Sequence, residues 1–378
     1  MKVAAPKAVV AGERRVAIIP ETCLRLKKAG LEFIVETGAG VESGFADSAY
    51  AEAGATIAPD AASLYATAEV IAFPNAPTPE QLGMMRRGTI VLGVLNPLTH
   101  HDLVRQLAEA GVISIALDLM PRITRAQKMD VLSSMSTITG YKSVLMAAAA
   151  LPRMFPLLMT AAGTLTPAKV LILGAGVAGL QAIATAKRLG AVVEAFDVRP
   201  VVKEQVESLG AKFVEVPVEA KDAQDAGGYA KEMSEDYKRK QMELVAKHAA
   251  ASDVVISTAL IPGRRAPILI TAETVRAMHA GSVVVDLASE AGGNCELTRH
   301  GETVNEGGVL IMGPANLSSS IPFHASQMFS RNVGAFLQDL TRDGVVTLNP
   351  EDECVSGTLI TRDGQIVHQR VRDSMGVA

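Results

Sequence analysis

Gly174-Ala175-Gly176-Val177-Ala178-Gly179 follows the apolar run KVLIL and opens the helical pattern LQAIATAKRLG. Three glycines at this spacing, between a strand and a helix, suit the cradling of a pyrophosphate by backbone N–H groups. Gly174 permits the tight turn, Gly176 lets the main chain approach the anion, and Gly179 lets helix pack closely on strand. The positive end of the helix, with Val177 and Ala178 in its first turn, favours the negative charge. The next strand pattern, AVVEAFDV, ends at Asp197, 18 residues after Gly179, with Val198 and Arg199 beyond it. A carboxylate there accepts a hydrogen bond from an adenosine ribose 2′-OH and repels a 2′-phosphate, so NAD(H) is expected over NADP(H). Arg199 works against that preference, because an arginine just past this strand can partner a phosphate. A glycine turn required only sterically is the bland alternative, and the joint presence of strand, helix and acid argues against it.

Two later strand patterns end in suggestive loops. VISTALIPG places Ser257, Thr258, Ala259 and Leu260 at a strand end, and VVVDLASEAGGN does the same for Asp286, Leu287, Glu290 and Asn294. Hydroxyls, small residues and glycines are what a ring or ribose close to the backbone needs, although each loop alone equally fits a capped strand end. The polar stretch MPRITRAQKMDVLSS carries Arg122, Gln127, Asp130 and Ser133; its composition by itself reads as a solvated linker. His100-His101-Asp102 reads as a helix start rather than a metal site, and no metal is expected.

The elements that must position these residues are legible as alternating strands and helices. From residue 1 to about 120, KVAAP, EFIVETG, EVIAFP, TIVLGVL and GVISIALDLMP alternate with helical patterns such as PETCLRLKKAG, which Gly30 stops. In THHDLVRQLAEAG, Thr99 is expected to cap the helix and Gly111 to end it. This is a βαβ series without a glycine fingerprint. A second series follows the apolar helix at 143–151: KVLILGAG, AVVEAFDV, KFVEV, DVVISTAL, SVVVDLA and VLIMGP. Their dense Val and Ile without alternation predict strands covered on both faces. The fold class is therefore α/β, with two Rossmann-like doubly wound parallel-sheet domains and a cleft between them. Residues 1–134 and 306–378 are assigned to the first domain, whose tail helix SQMFSRNVGAFLQDL returns to pack on it, and 135–305 to the second. Residues 217–241, charge-dense and containing Gly227-Gly228, read as a mobile flap that continues into a helix.

Composition narrows the classes. At 378 residues, 48% hydrophobic and 20% charged, the chain can bury two cores and is not disordered. A net charge of −4 gives no basic excess for nucleic acid. Cys23, Cys295 and Cys354 are few, distant and odd in number, which suits a reducing compartment. Lys7, Glu13, Arg14 and Arg15 interrupt any signal-peptide core. Pro152, Arg153 and Pro156 break the most apolar stretch where a membrane span would tolerate them least, so it reads as a buried helix running into a linker.

ERRVAIIP, MPRITRAQKMDVLSS, TAAGT, LGAGVAGLQAIATAKRLGAVVEAFDVR, KEQVESLGAKF, AGGYAKEM, STALIPGRRAPILIT and DLASEAGGNCELT together resemble the NAD(H)-binding component of proton-translocating nicotinamide nucleotide transhydrogenases, over essentially the whole chain. The resemblance implies a two-domain dimer that binds NAD(H) between its domains. It implies direct hydride transfer to NADP⁺ on a separate NADP(H)-binding domain, coupled to proton translocation by membrane-spanning subunits. Arg122, Gln127, Asp130 and Ser133 match the family residues around the nicotinamide and its ribose, with Gln127 positioning the ring, and Tyr229 matches the tyrosine of the family's closing loop. Because the chain stops before transmembrane helices, it is expected to be a cytoplasmic subunit, peripheral on the inner membrane and not inserted in it.

Alanine dehydrogenase is the competing resemblance. That chemistry moves a proton as well as a hydride and needs an arginine, a lysine and an acid/base histidine. Arg15 matches the arginine, but Phe73-Pro74 replaces the lysine and Val94-Leu95-Asn96 replaces the histidine. The same absences depart from other transhydrogenases, as far as the resemblance extends. A non-catalytic NADH sensor is a third reading.

Overall fold

The Val- and Ile-rich runs of the front portion do form strands, and they lie almost wholly parallel, because each is followed by a helix that carries the chain back over the sheet. A computed structural model describes residues 1–216, 235–261 and 263–377. The sheet of the first unit runs in the order Gln365–Ile366, Leu359–Arg362, Ile113–Ala116, Ile90–Gly93, Val70–Ala72, Lys2–Ala5, Glu32–Glu36, Thr56–Ala58. Read in chain order, the six strands from the front are arranged 3-2-1-4-5-6, the doubly wound order. The two strands from the tail join antiparallel at the edge. With only four and two residues they left no alternation to read in the sequence.

The sheet of the second unit repeats the plan: Lys212–Val214, Val192–Phe196, Lys169–Leu173, Val254–Ser257, Val283–Asp286, Val309–Met312, Thr303–Glu306. Its parallel strands are again 3-2-1-4-5-6, and Thr303–Glu306 closes the edge antiparallel to Val309–Met312. The units comprise residues 1–135 with 318–378, and 136–317. The second therefore extends past residue 305, because the hairpin around Gly307-Gly308 is part of its sheet. Each sheet is buried on both faces, giving two apolar clusters per unit.

In the first unit, the tail helix Pro322–Leu340 packs on the front-portion strands as its amphipathic pattern predicts. Its buried serines satisfy loop backbone that no strand reaches: Val16 N donates to Ser326 Oγ at 3.0 Å and Ile19 N to Ser330 Oγ at 2.9 Å.

Three local expectations change. The helix His101–Glu109 is not capped by Thr99, whose hydroxyl donates to Asn96 O at 3.2 Å; Asn96, at φ 48°, starts a turn that consumes it. The helix expected at 143–151 begins earlier and runs from Val131 to Ala150, taking in the end of the polar stretch, Val131–Ser134. Beyond it, Leu158–Thr160 and Gly163–Leu165 form a hairpin instead of an irregular connection. Among the described residues no helix is long and apolar enough to cross a membrane. The three cysteines are buried, and desolvation pushes the Cys23 thiol up to about 12. Tyr229 and Gly227-Gly228 lie outside the described residues.

Candidate nucleotide-binding site

In the second unit, strand Lys169–Leu173 and strand Val254–Ser257 are neighbours whose onward connections leave in opposite directions, which makes the gap past their carboxyl ends the topological switch point. The glycine loop follows the first of these strands and Thr258-Ala259 follows the second. Gly174 turns at φ +96°, and a Cβ there would meet Thr258 Oγ1 at 2.6 Å. A Cβ on Gly179 would lie 1.8 Å from Gly174 O. Both glycines are thus demanded by the protein itself. Gly176 differs: a Cβ there meets nothing within 4 Å, so the fold supplies no steric reason for glycine and leaves space above the backbone. Gly176 also begins the helix Val177–Arg188 with no side-chain cap, leaving first-turn N–H groups to a partner from outside the helix. Val177 is exposed at the mouth.

Asp197 and Arg199 are not independent, as the sequence treats them. The Asp197 carboxylate accepts from Ala175 N at 2.7 Å, Arg199 N at 2.9 Å, Arg199 Nε at 2.9 Å and Arg199 Nη2 at 2.8 Å. This fork holds the guanidinium pKa above its ordinary range and commits Arg199 to the acid. The same carboxylate ties the glycine loop to the end of the next strand. Val198 packs against the apolar cluster on this side of the sheet.

The later loops divide by burial. Thr258 and Ala259 are half-buried at the switch point, with the Thr258 hydroxyl donating to Gly174 O at 3.1 Å. Ser257, Asp286 and Asn294, read as ligand contacts, are fully buried. Asp286 accepts from Ser257 Oγ, Ala288 N, Asn294 N, Cys295 N and Thr298 Oγ1, all within 2.7–3.0 Å. Asn294 accepts from Ala259 N at 3.1 Å and donates to Ala259 O at 2.9 Å and Pro267 O at 2.8 Å. These three hold Ala259 in place from behind; a buried carboxylate needs such saturation. Leu287 packs on the apolar core, while Leu260 and Glu290 are exposed.

In the first unit, the polar stretch is a built structure and not a solvated linker. Thr124–Met129 forms a 3₁₀ helix with Ala126 and Met129 buried. Arg122 and Gln127 are exposed. Asp130 accepts from Ser133 N at 2.9 Å and Ser133 Oγ at 2.6 Å, closing the first turn of the helix Val131–Ala150.

The loops at the switch point of the first sheet carry a buried ion pair beside a small pocket lined by Pro6, Lys7, Phe73 and Ala76. Arg15 Nη2 donates to Glu13 Oε2 at 2.6 Å and to Asn75 Oδ1 at 2.8 Å, and Glu13 and Arg15 are both buried. Ser319 Oγ adds a bond to Glu13 Oε1 at 3.1 Å. Phe73 is a core residue, and the turn at Leu95-Asn96 is held by Asp118, which accepts from Leu95 N at 2.8 Å and Asn96 N at 3.1 Å. Desolvation raises the Asp118 carboxyl pKa. His101 Nε2 lies 3.1 Å from Leu98 O, and among the described residues no cluster of three metal-ligating side chains forms. The roles of Glu13 and Asn75 were missed in the sequence; only the reach of Arg15 across the sheet reveals them.

Two doubly wound units, one with an open glycine loop at its switch point, define a protein of the dinucleotide-binding fold class. The model described as Alanine dehydrogenase/PNT, N-terminal domain, matches residues 4–139, and that of the C-terminal domain matches 143–369. An NAD(P) transhydrogenase alpha-subunit polypeptide of Rhodospirillum rubrum is 49% identical over 376 residues, covering 97% of this chain and 98% of the relative. The crystal structure of transhydrogenase from Sinorhizobium meliloti matches with a TM-score of 0.86 at 42% identity, over 98% of this chain and 99% of that one. An L-alanine dehydrogenase structure matches with a TM-score of 0.84 at 27% identity, over 100% and 99%. The chain belongs to the alanine dehydrogenase/PNT family and, within it, to the NAD(P) transhydrogenase alpha subunits.

Proposed function

We propose that this chain is the NAD(H)-binding component of a proton-translocating transhydrogenase and exchanges hydride between NADH and NADP⁺ held by a separate protein. One observation carries the reading: the open space over Gly176, beside uncapped helix N–H groups and the Asp197 carboxylate. Those groups fit a pyrophosphate and an unphosphorylated adenosine ribose. The loop Gly174–Gly179, with Val177 and Ala178, binds the former; Asp197 accepts from the latter in exchange for one of its bonds from the Arg199 side chain. Thr258, Ala259 and Leu260 border the nucleotide, and Arg122, Gln127, Asp130 and Ser133 hold the nicotinamide end. Tyr229 is assigned to the closing loop on resemblance alone.

When bound, the dihydronicotinamide supplies a hydride. A C4–H bond breaks on one ring and forms on the other, so one is oxidised, the other is reduced, and no side chain takes a proton. The work left to the protein is to bring the two C4 atoms to about 3–3.5 Å and to exclude water. Phe73 and Leu95, where an amino-acid dehydrogenase needs polar catalysts, agree with that division. The chain is assigned a homodimer, membrane-spanning partner subunits and a place on the cytoplasmic face of the inner membrane.

Mixing the chain with an NADP(H)-binding partner and following reduction of an NAD⁺ analogue by NADPH tests the reading; turnover is expected. NADH oxidation by pyruvate plus ammonium is expected to be absent, and a brisk rate favours the dehydrogenase. Tight NADH binding without turnover under any pairing favours a sensor.

A further inference from the structure

In a 3₁₀ helix residues three apart eclipse, so Thr124–Met129 has three distinct edges. Ala126 and Met129 share one and are buried in the core of the first unit. Thr124 and Gln127 share the second and are exposed. Arg125 and Lys128 share the third, and both reach Asp339 on the tail helix. Arg125 Nη1 lies 3.4 Å from Asp339 Oδ2 and Lys128 Nζ lies 3.5 Å from Asp339 Oδ1. Arg125 also pairs with Asp352, which caps the helix Glu353–Ser356 through Cys354 N at 2.8 Å. Two turns before Asp339 on the tail helix, the buried Asn332 donates to Lys128 O at 2.9 Å, gripping the turn by its backbone. A six-residue 3₁₀ helix is longer than such helices usually run and does not hold its own register well. Here one edge is buried and a second, itself exposed, is tied to the tail helix by ion pairs, which leaves Gln127 on the third edge.

We propose that Asp339, Arg125 and Asn332 are positioning residues that fix the 3₁₀ turn so that Gln127 is presented at a set height and angle to the nicotinamide. This rests on the hydride-transfer reading above. None of the three touches the reacting atoms; they act through the turn. Loss of the clamp lets Gln127 drift, and displacements near 1 Å at a reacting centre cost on the order of 100-fold in rate.

The test uses full-length Asp339→Asn with an NADP(H)-binding partner at saturating nucleotide. Single-turnover hydride transfer is expected to slow by about tenfold or more, while NADH affinity, measured by calorimetry, stays within about threefold. In a Gln127→Asn background the same substitution is expected to add little, since both changes act through one side chain. Amide exchange over 124–130 is expected to speed up, and this holds whether or not the chain proves to be a transhydrogenase. Should wild type transfer no hydride with any partner, the function fails while exchange still judges the clamp. A rate loss below about fivefold, an affinity loss matching the rate loss, full additivity with Gln127→Asn, or unchanged exchange overturns the proposal. If Asp339→Asn does not fold, Arg125→Lys, which keeps the charge but cannot fork to two carboxylates, is read by the same measurements.

Discussion

The two sheets share a strand order, 3-2-1-4-5-6, and therefore a switch point, yet they use it in opposite ways. In the second unit the loop after the first strand is glycine, turns at φ +96°, and leaves open space over Gly176. In the first unit the corresponding loops carry Arg15, Glu13 and Asn75, which close on one another in a buried ion pair. Topology offers a crevice at each sheet; side chains decide what lines it, a buried ion pair beside a small pocket in the first and bare glycine backbone in the second. One arginine is consumed in each case, Arg15 by Glu13 and Arg199 by Asp197, but the second pair lies at the rim of an open loop.

The comparison breaks most visibly at Glu13. Glu13→Ala leaves Arg15 charged and buried, and is expected to cost about 3–5 kcal/mol in urea denaturation with NADH affinity nearly unchanged. A parallel loss of affinity makes the first crevice part of the nucleotide site. Next comes Gly179→Ala, whose Cβ must displace Gly174 O; NADH binding is expected to weaken by about 100-fold, with a lowered melting temperature. Gly176→Ala is its control, weakening binding while melting as wild type does. Equal melting losses for both remove the claim that Gly176 serves a ligand. At the rim, Asp197→Ser frees Arg199, and the NADPH-to-NADH affinity ratio is expected to rise by about tenfold in paired titrations; a fixed ratio removes Arg199 from specificity.

The smallest effect concerns the first unit alone. Burial lowers the His368 pKa below 6.5, with its Nε2 3.1 Å from Gly357 O. The unfolded chain then binds the extra proton first, so stability is full above about pH 6.5 and declines as pH falls toward the folded value. Wild type is expected to lose more stability than His368→Gln between pH 7 and pH 5.5. Parallel losses contradict it.

Local chemistry made much of this legible. The glycine spacing, the acid at the end of the next strand and the Val-rich parallel strands all announce themselves within short stretches of chain. Contacts that join distant segments did not. Nothing near Arg15 in the sequence says that Asn75 will meet it, and nothing near Asp286 says that five donors will saturate it. The tail strands were too short to show a period, and the 3₁₀ turn was hidden in a stretch whose polarity resembles a linker. Thr99 shows the local limit: an asparagine at positive φ captured a residue that looked like a cap.

The central claim is that hydride passes between nicotinamides without acid–base help from this chain. NADH carrying deuterium at the transferred C4 position, mixed with the chain and NADP⁺ on its partner, tests it in one mass spectrum. The account predicts that the label arrives on C4 of NADPH with none in water. Label in solvent, or NADH consumed without labelled NADPH, contradicts it.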